Sequence, residues 1–331
     1  MATQVPFNIA AASDLVDLSI QDIWLKSPAD RKEYWREIYF LDPVSDSIVK
    51  DSSITSIAAF SKISENGEIP ANSPHQGFEK TYTQQYFGGM LRVTRPMWKY
   101  GVETRKLQSM VTELKNDANR FKDTVLANVF NNQASTSYTE TAGSQSYTHT
   151  NTGGDGVAFR STAHTREDGG TNWANQITDG TTTNQDFSYL GLKAAKRTAQ
   201  LIRGGVGEVL DVDPNMVMVR KNSPNHHRAE EILNTIKKGD QPNTANREGP
   251  FNLSYTIHAN PYFSADAPWG MIDTSMIGPK FGLQLKEGMP LSLQPQNVEY
   301  LTKEIQYTTD SDFEYGFNDA RNIVLSSGAN A

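Results

Sequence analysis

The side chains best suited to acid–base or metal chemistry here are six histidines: His75, His149, His164, His226, His227 and His258. The chain has no cysteine, which excludes disulfide scaffolds, thiolate metal sites and cysteine nucleophiles. His226 and His227 are adjacent, so on a helix they should diverge rather than chelate one ion together. His227 and Glu231 lie four apart and form half a metal site, with no further ligand nearby in sequence. No His-Glu-x-x-His pattern occurs. His164, in Ala163-His164-Thr165-Arg166, has the chemistry of a general base, but no motif supplies its nucleophile, and loop packing is the expectation. Gly204-Gly205-Val206-Gly207 follows a helical stretch and precedes an extended one. A phosphate cradle needs the opposite order, so this run reads as a helix stop. Walker-type and Gly-x-Ser-x-Gly motifs are absent. The expectation is a non-enzyme with no catalytic residues, no cofactor and no metal. A soluble α/β enzyme using His164 or His227 is the alternative from a different class.

The elements that would position such groups are bounded by composition. The 331 residues include 31 Lys and Arg against 38 Asp and Glu, for a formal charge of −7. Hydrophobic residues make up 37% and charged ones 21%, enough to bury a core. With no basic tail, sequence-specific nucleic-acid binding is not expected. No run of about eighteen apolar residues occurs, so no membrane-spanning helix is expected. The N-terminus lacks the basic start and apolar run of a secretory signal.

Residues 1–50 read as an arm. Ser13 can cap a piece from Leu15 to Leu25, and Ser27-Pro28-Ala29-Asp30 starts another with Tyr34, Trp35, Ile38 and Tyr39. Residues 51–95 read as a long β-hairpin. Its first run holds Ile54, Ile57 and Phe60, its tip spans residues 65–74, and its second run holds Tyr82, Tyr86, Phe87, Leu91 and Val93. A lone two-stranded hairpin is marginal in water, so this first third is expected to take apolar cover from sibling subunits. Residues 97–132 form the clearest element. Leu107, Val111, Leu114, Ala118, Phe121, Val125 and Val129 make one helical stripe, with Lys106, Lys115, Arg120 and Lys122 on the other faces. About 35 residues at 1.5 Å each give a spine of roughly 50 Å.

Residues 133–186 carry thirteen Thr and seven Gly and read as a long polar loop region. Helix returns over 187–205, capped by Ser188 and stopped at Gly204-Gly205. Pro214–Arg220 reads as a short buried strand, followed by a helix capped at Asn222-Ser223-Pro224. Short strands and turns fill 251–293, and two further runs cover Lys303–Thr308 and Phe313–Leu325. No internal repeat appears, which argues against solenoids and propellers.

The order of these parts resembles the major capsid protein of tailed bacteriophages with the Hong Kong 97-like fold. The wording of the sequence is most similar to the Mu-like major head subunit family. The residues that carry the likeness are Phe87-Gly88-Gly89-Met90-Leu91-Arg92-Val93-Thr94-Arg95-Pro96-Met97, Ala158–His164, Asn172-Trp173, the helix from Ser188, Pro214–Val219 and Asn318-Asp319-Ala320-Arg321. Together they span roughly residues 50–325. The resemblance implies an α+β fold with an N-terminal arm (1–50), an extended hairpin (51–95) and a peripheral domain with the spine (96–186). It also implies an axial α/β domain (187–295) and returning peripheral strands (296–331).

The function it implies is a shell of pentamers and hexamers that encloses double-stranded DNA in a virion and is assembled in the host cytoplasm. Its implied partners are further copies of itself, a portal protein, packaged DNA bound without sequence specificity, and in some relatives a decoration protein. Because Met1 stands almost at the arm, a separate scaffolding protein is expected. An encapsulin-type nanocompartment is the rival within the same fold. The residues expected at subunit interfaces are Trp24, Tyr34 and Trp35 on the arm, and Phe60, Phe78, Tyr82, Tyr86 and Met90 on the hairpin.

Overall fold

The computed structural model describes residues 21–22, 24–25, 32–54, 62–63, 65, 67, 76–94, 104–234, 255–295, 297–299 and 304–328. Phe60 and most of the expected hairpin tip lie outside them.

The spine helix α1 runs Thr104–Asn131. Its stripe divides along its length. Val111, Val125 and Val129 are buried, whereas Leu114, Ala118 and Phe121 are only half-buried. The C-terminal half of α1 packs on a five-stranded sheet of β1 (Tyr39–Pro43), β4 (Gln85–Val93), β10 (Leu283–Leu293), β11 (Asn297–Val298) and β12 (Ile305–Phe317). Strand β12 is its centre. It pairs antiparallel with β4 through Ile305↔Val93 to Phe313↔Gln85, and with β10 through Leu283↔Phe317 to Leu293↔Thr309. β1 joins β10 in parallel. The two runs expected at the C-terminal end are thus one thirteen-residue strand, its inward positions held by Tyr307, Phe313, Tyr315 and Phe317.

The expected hairpin divides. β2 (Ile48–Ile54) pairs antiparallel with β3 (Gln76–Thr83), from Ile48↔Thr83 to Ile54↔Gln76. One residue later the chain leaves this pair, and β4 enters the main sheet. The second half of the expected hairpin, Gln85–Val93, is therefore core sheet of its own subunit. Its side chains alternate as a one-sided strand requires. Phe87, Gly89, Leu91 and Val93 turn inward, and Tyr86, Gly88, Met90 and Arg92 turn outward.

A second sheet has the order β13 (Ile323–Ser326), β9 (Trp269–Ile272), β7 (Met216–Arg220), β8 (Thr256–Asn260). Helices α2 (Tyr189–Leu201) and α3 (Pro224–Asn234) supply its cover. Ser188 caps α2 by accepting the Gly191 amide, as its position in the sequence requires. β7, α3 and the parallel β8 form a crossover unit. Val217, Val219, Met271 and Val324 belong to the core with α2 and α3. Their neighbours Met218, Ile272, Ile323 and Leu325 belong to the core that holds the end of α1. A sheet covered on both faces has no polar side to show, and β9 and β13 are buried at every position.

Two strands pair outside their neighbourhood in the chain. β10, from the segment expected to be axial, lies in the sheet with β12. β13, from the segment expected to return to the periphery, joins β9 of the second sheet through Ile323↔Ile272. The polar region 133–186 also holds more order than a loop. β5 (Ser137–Ala142) and β6 (Gln145–Thr150) form a tight hairpin, and Thr152↔Ala158 and His164↔Trp173 bridges fold the rest back.

Candidate subunit interface

The expected interface residues separate into two groups. Trp35 and Tyr82 are buried within their own chain, and so is Trp24. Trp24 packs with Val93, Val111, Ile305 and Tyr307, and its carbonyl accepts Lys115 Nζ at 2.7 Å. Trp35 sits in the main core, its amide bonded to Asp123 Oδ1 of α1 at 3.1 Å. Tyr34 is half-buried, edge-on to His258 and Tyr262. Phe78 is half-buried against the loop at Gly154, where an added Cβ would lie 2.8 Å from Phe78 Cβ. Of these five, Trp24, Trp35 and Tyr82 are buried in their own chain, and Tyr34 and Phe78 are partly covered by it. Tyr86 and Met90 are different. They lie on the outer face of β4 and are 67% and 46% exposed.

Buried cations fix the base of the β2–β3 hairpin. Lys286 Nζ lies 2.6 Å from Asp42 Oδ2 and 3.5 Å from Asp51 Oδ2, tying β10 to β1 and β2. Lys80 Nζ donates to the Thr152 carbonyl at 2.7 Å and sits over the rings of Tyr82 and Phe317. Burial pulls the Lys80 ammonium down to about 8, partly opposed by Glu314. Tyr82 is clamped between these two cations, so its hydroxyphenyl group cannot swing out to a neighbour.

Between α1, the inner face of the main sheet and the β5–β6 turn lies a groove of about 840 Å³. Its aromatic floor is Phe87, which packs with Phe121 at 5.2 Å and Phe313 at 4.7 Å between ring centres. Lys122 and Glu287 close one edge as an ion pair at 2.6 Å. The spine lysines were placed on the faces away from the apolar stripe. Lys122 and Lys115 hold internal partners.

The histidines fall into structural and superficial sets. His164 is buried, stacked on Trp173 at 4.4 Å, with Nδ1 2.8 Å from Asp155 Oδ2. Beside it Arg321 pairs with Glu167 at 2.8 Å and with Asp319. These contacts hold His164 as a packed side chain between Trp173 and Asp155. His149 is stacked on Tyr315 at 4.2 Å, and burial lowers its basicity. His258 Nδ1 lies 2.6 Å from Glu37 Oε2, a bond that holds the Glu37 carboxyl down near 2. His226 and His227 stand on the first turns of α3, and with Glu230 they form the cluster that sequence spacing missed. No helix among the described residues is long and apolar enough to cross a membrane.

A family model described as phage capsid protein matches residues 78–326, well over half of the chain. The chain belongs to the phage capsid protein family. Solved capsid structures share its α+β fold of the Hong Kong 97-like type. The capsid of the cyanophage P-SCSP1u gives a TM-score of 0.51 at 12% identity, covering 90% of this chain and 88% of that one. The capsid of a native GTA particle gives 0.50 at 9% identity, with 89% and 90% covered. A chain of Microbacterium phage Oxtober96 gives 0.50 at 8%, with 91% and 92% covered. No curated protein sequence matches the chain.

Its family and fold are those of a structural protein. Its working chemistry is contact between copies. Among the described residues of the expected set, Tyr86 and Met90 are the exposed ones.

Proposed function

We propose that the outer face of β4 is a contact between copies of this capsid protein, with Tyr86 and Met90 as its anchors, in pentamers and hexamers that close around double-stranded DNA. The observation that carries the reading is the exposure of both side chains on one face of a strand whose backbone is fixed by nine registered pairs with β12. Tyr86 is also pre-oriented. Its hydroxyl donates to Asp310 Oδ2 at 2.8 Å, and Asp310 is held in turn by Ser292 and Gln294. An aromatic ring already fixed in place loses little side-chain entropy on contact, which is the property of an interface anchor. Each contact can be weak, because closure makes every subunit multivalent. The acidic balance of the chain fits DNA driven in by a motor better than DNA gathered by charge. A portal and a scaffolding protein complete the set of partners in this reading, with assembly in the host cytoplasm.

The test replaces both anchors, Tyr86→Ser with Met90→Ser, and images the products of expression by electron microscopy. Folded subunits with few closed shells are expected, since truncating a buried interface aromatic costs about 2 kcal/mol or more at every copy. Closed shells at wild-type yield would remove β4 from the interface.

A further inference from the structure

We infer that His226, His227 and Glu230 form a binding site for a Zn²⁺-like transition-metal ion on the first turns of α3. One ligand atom from each of the three lies within 4.8 Å of the other two. Two adjacent histidines diverge on an ideal helix, but here the rings converge, with centres 5.6 Å apart. His226 Nε2 is 3.7 Å from Glu230 Oε1, and His227 Nδ1 is 3.8 Å from Glu230 Oε2. These spacings are too long for hydrogen bonds. They lie close to the separation of two ligands sharing one ion. Bonds of about 2.0–2.1 Å at tetrahedral angles put ligand atoms roughly 3.4 Å apart.

The state of His226 supports the assignment. Its Nδ1 is buried without a hydrogen-bond partner, and its Nε2 reaches nothing nearer than Glu230 at 3.7 Å. Nε2, which faces the Glu230 carboxylate with no hydrogen bond of its own among the described residues, is the nitrogen open to an ion. The ring is also held in position. Ser223 Oγ accepts the His226 amide at 3.1 Å and donates to the Arg220 carbonyl at 2.7 Å, which fixes the turn from β7 into α3. Asn225 and Arg228 tie the same turn to the Asp266, Ala267 and Phe187 carbonyls.

The donor set selects the ion. Two imidazoles and one carboxylate suit Zn²⁺ and its neighbours in the first transition row, whereas Mg²⁺ and Ca²⁺ prefer all-oxygen shells. Three protein ligands leave a fourth position for water or for a side chain from another copy. The helix N-terminus disfavours a cation, and the Glu230 carboxylate offsets that field. A bound ion would cross-link the first two turns of α3 and so stabilise the β7–α3–β8 unit that they open.

The test titrates untagged full-length protein with ZnCl₂ by calorimetry, with MgCl₂ in parallel, and follows the thermal midpoint at saturating Zn²⁺. The expected result is about one Zn²⁺ per chain, no Mg²⁺ binding at the same concentrations, and a raised midpoint. His227 and Glu230 are well exposed, so H227Q and E230Q should fold normally while each weakens Zn²⁺ binding at least tenfold and abolishes the thermal shift. Zn²⁺ binding of equal affinity in wild type, H227Q and E230Q would overturn the assignment, as would no binding to the wild type.

Discussion

Asp123 shows how much a single buried group can set the behaviour of this subunit. Its carboxylate is almost fully enclosed at the contact between α1 and the arm, where it accepts the Trp35 amide. Burial pushes its pKa up to about 6, against the pull of the backbone amides of Trp35 and Tyr34. The folded form therefore holds a proton that the unfolded form, near 3.8, releases. Its contribution to stability is fully present below pH 4 and is lost as the pH rises through 6. D123N keeps an acceptor oxygen and removes this titration. Denaturant unfolding of the two proteins at pH 4, 5.5 and 7 should show wild type losing up to ~3 kcal/mol relative to D123N across that range. Parallel profiles would contradict the assignment. Glu37 works in the opposite sense. Its bond to His258 adds stability that is present above about pH 4.5 and lost as the pH falls toward 2. Neither effect is legible in the sequence, because both depend on long-range partners, 88 and 221 residues away.

At the scale of elements, local pattern was a good guide wherever one segment could satisfy itself. The helix α1, the Ser188 cap, the buried β7 and the Ser223 cap of α3 all stand as the residues imply. Pattern failed where pairing is non-local. Gln85–Val93 alternates equally well as half of a hairpin or as an edge of the main sheet, and only β12, more than 200 residues later, decides between them. The same holds for β13, whose short apolar run gave no hint of its partner β9. That pairing has a steric requirement. A Cβ on Gly270 of β9 would meet Leu325 Cδ2 at 2.7 Å and the Val324 carbonyl at 2.9 Å. G270A should therefore push β13 off β9 and cost about 1–3 kcal/mol, read as a lowered denaturant midpoint. An unchanged midpoint would show that the sheet edge yields freely. The buried aromatic residues of the hairpin follow the same lesson. Tyr82 reads as an interface residue from sequence because its partners Lys80, Lys286 and Phe317 come together only in the fold.

Among the described residues, the first third is tied to its own subunit: Trp24, Trp35, Tyr82 and the buried lysines stitch it to the main sheet. In the proposed reading such a subunit folds before it assembles, and shell closure draws on Tyr86, Met90 and their surroundings. Family membership and fold were both legible in the order of the parts, because that order survives where individual residues do not. The sequence could not separate Tyr86 from Tyr82, because both sit in the same extended run and burial alone tells them apart. Electron cryomicroscopy of assembled shells at side-chain detail tests this most directly. The account predicts that Tyr86 and Met90 are covered by an adjacent copy while Trp35 and Tyr82 keep their internal partners. Shells in which the outer face of β4 stands open to solvent, or in which Tyr82 has swung out to a neighbour, would contradict it.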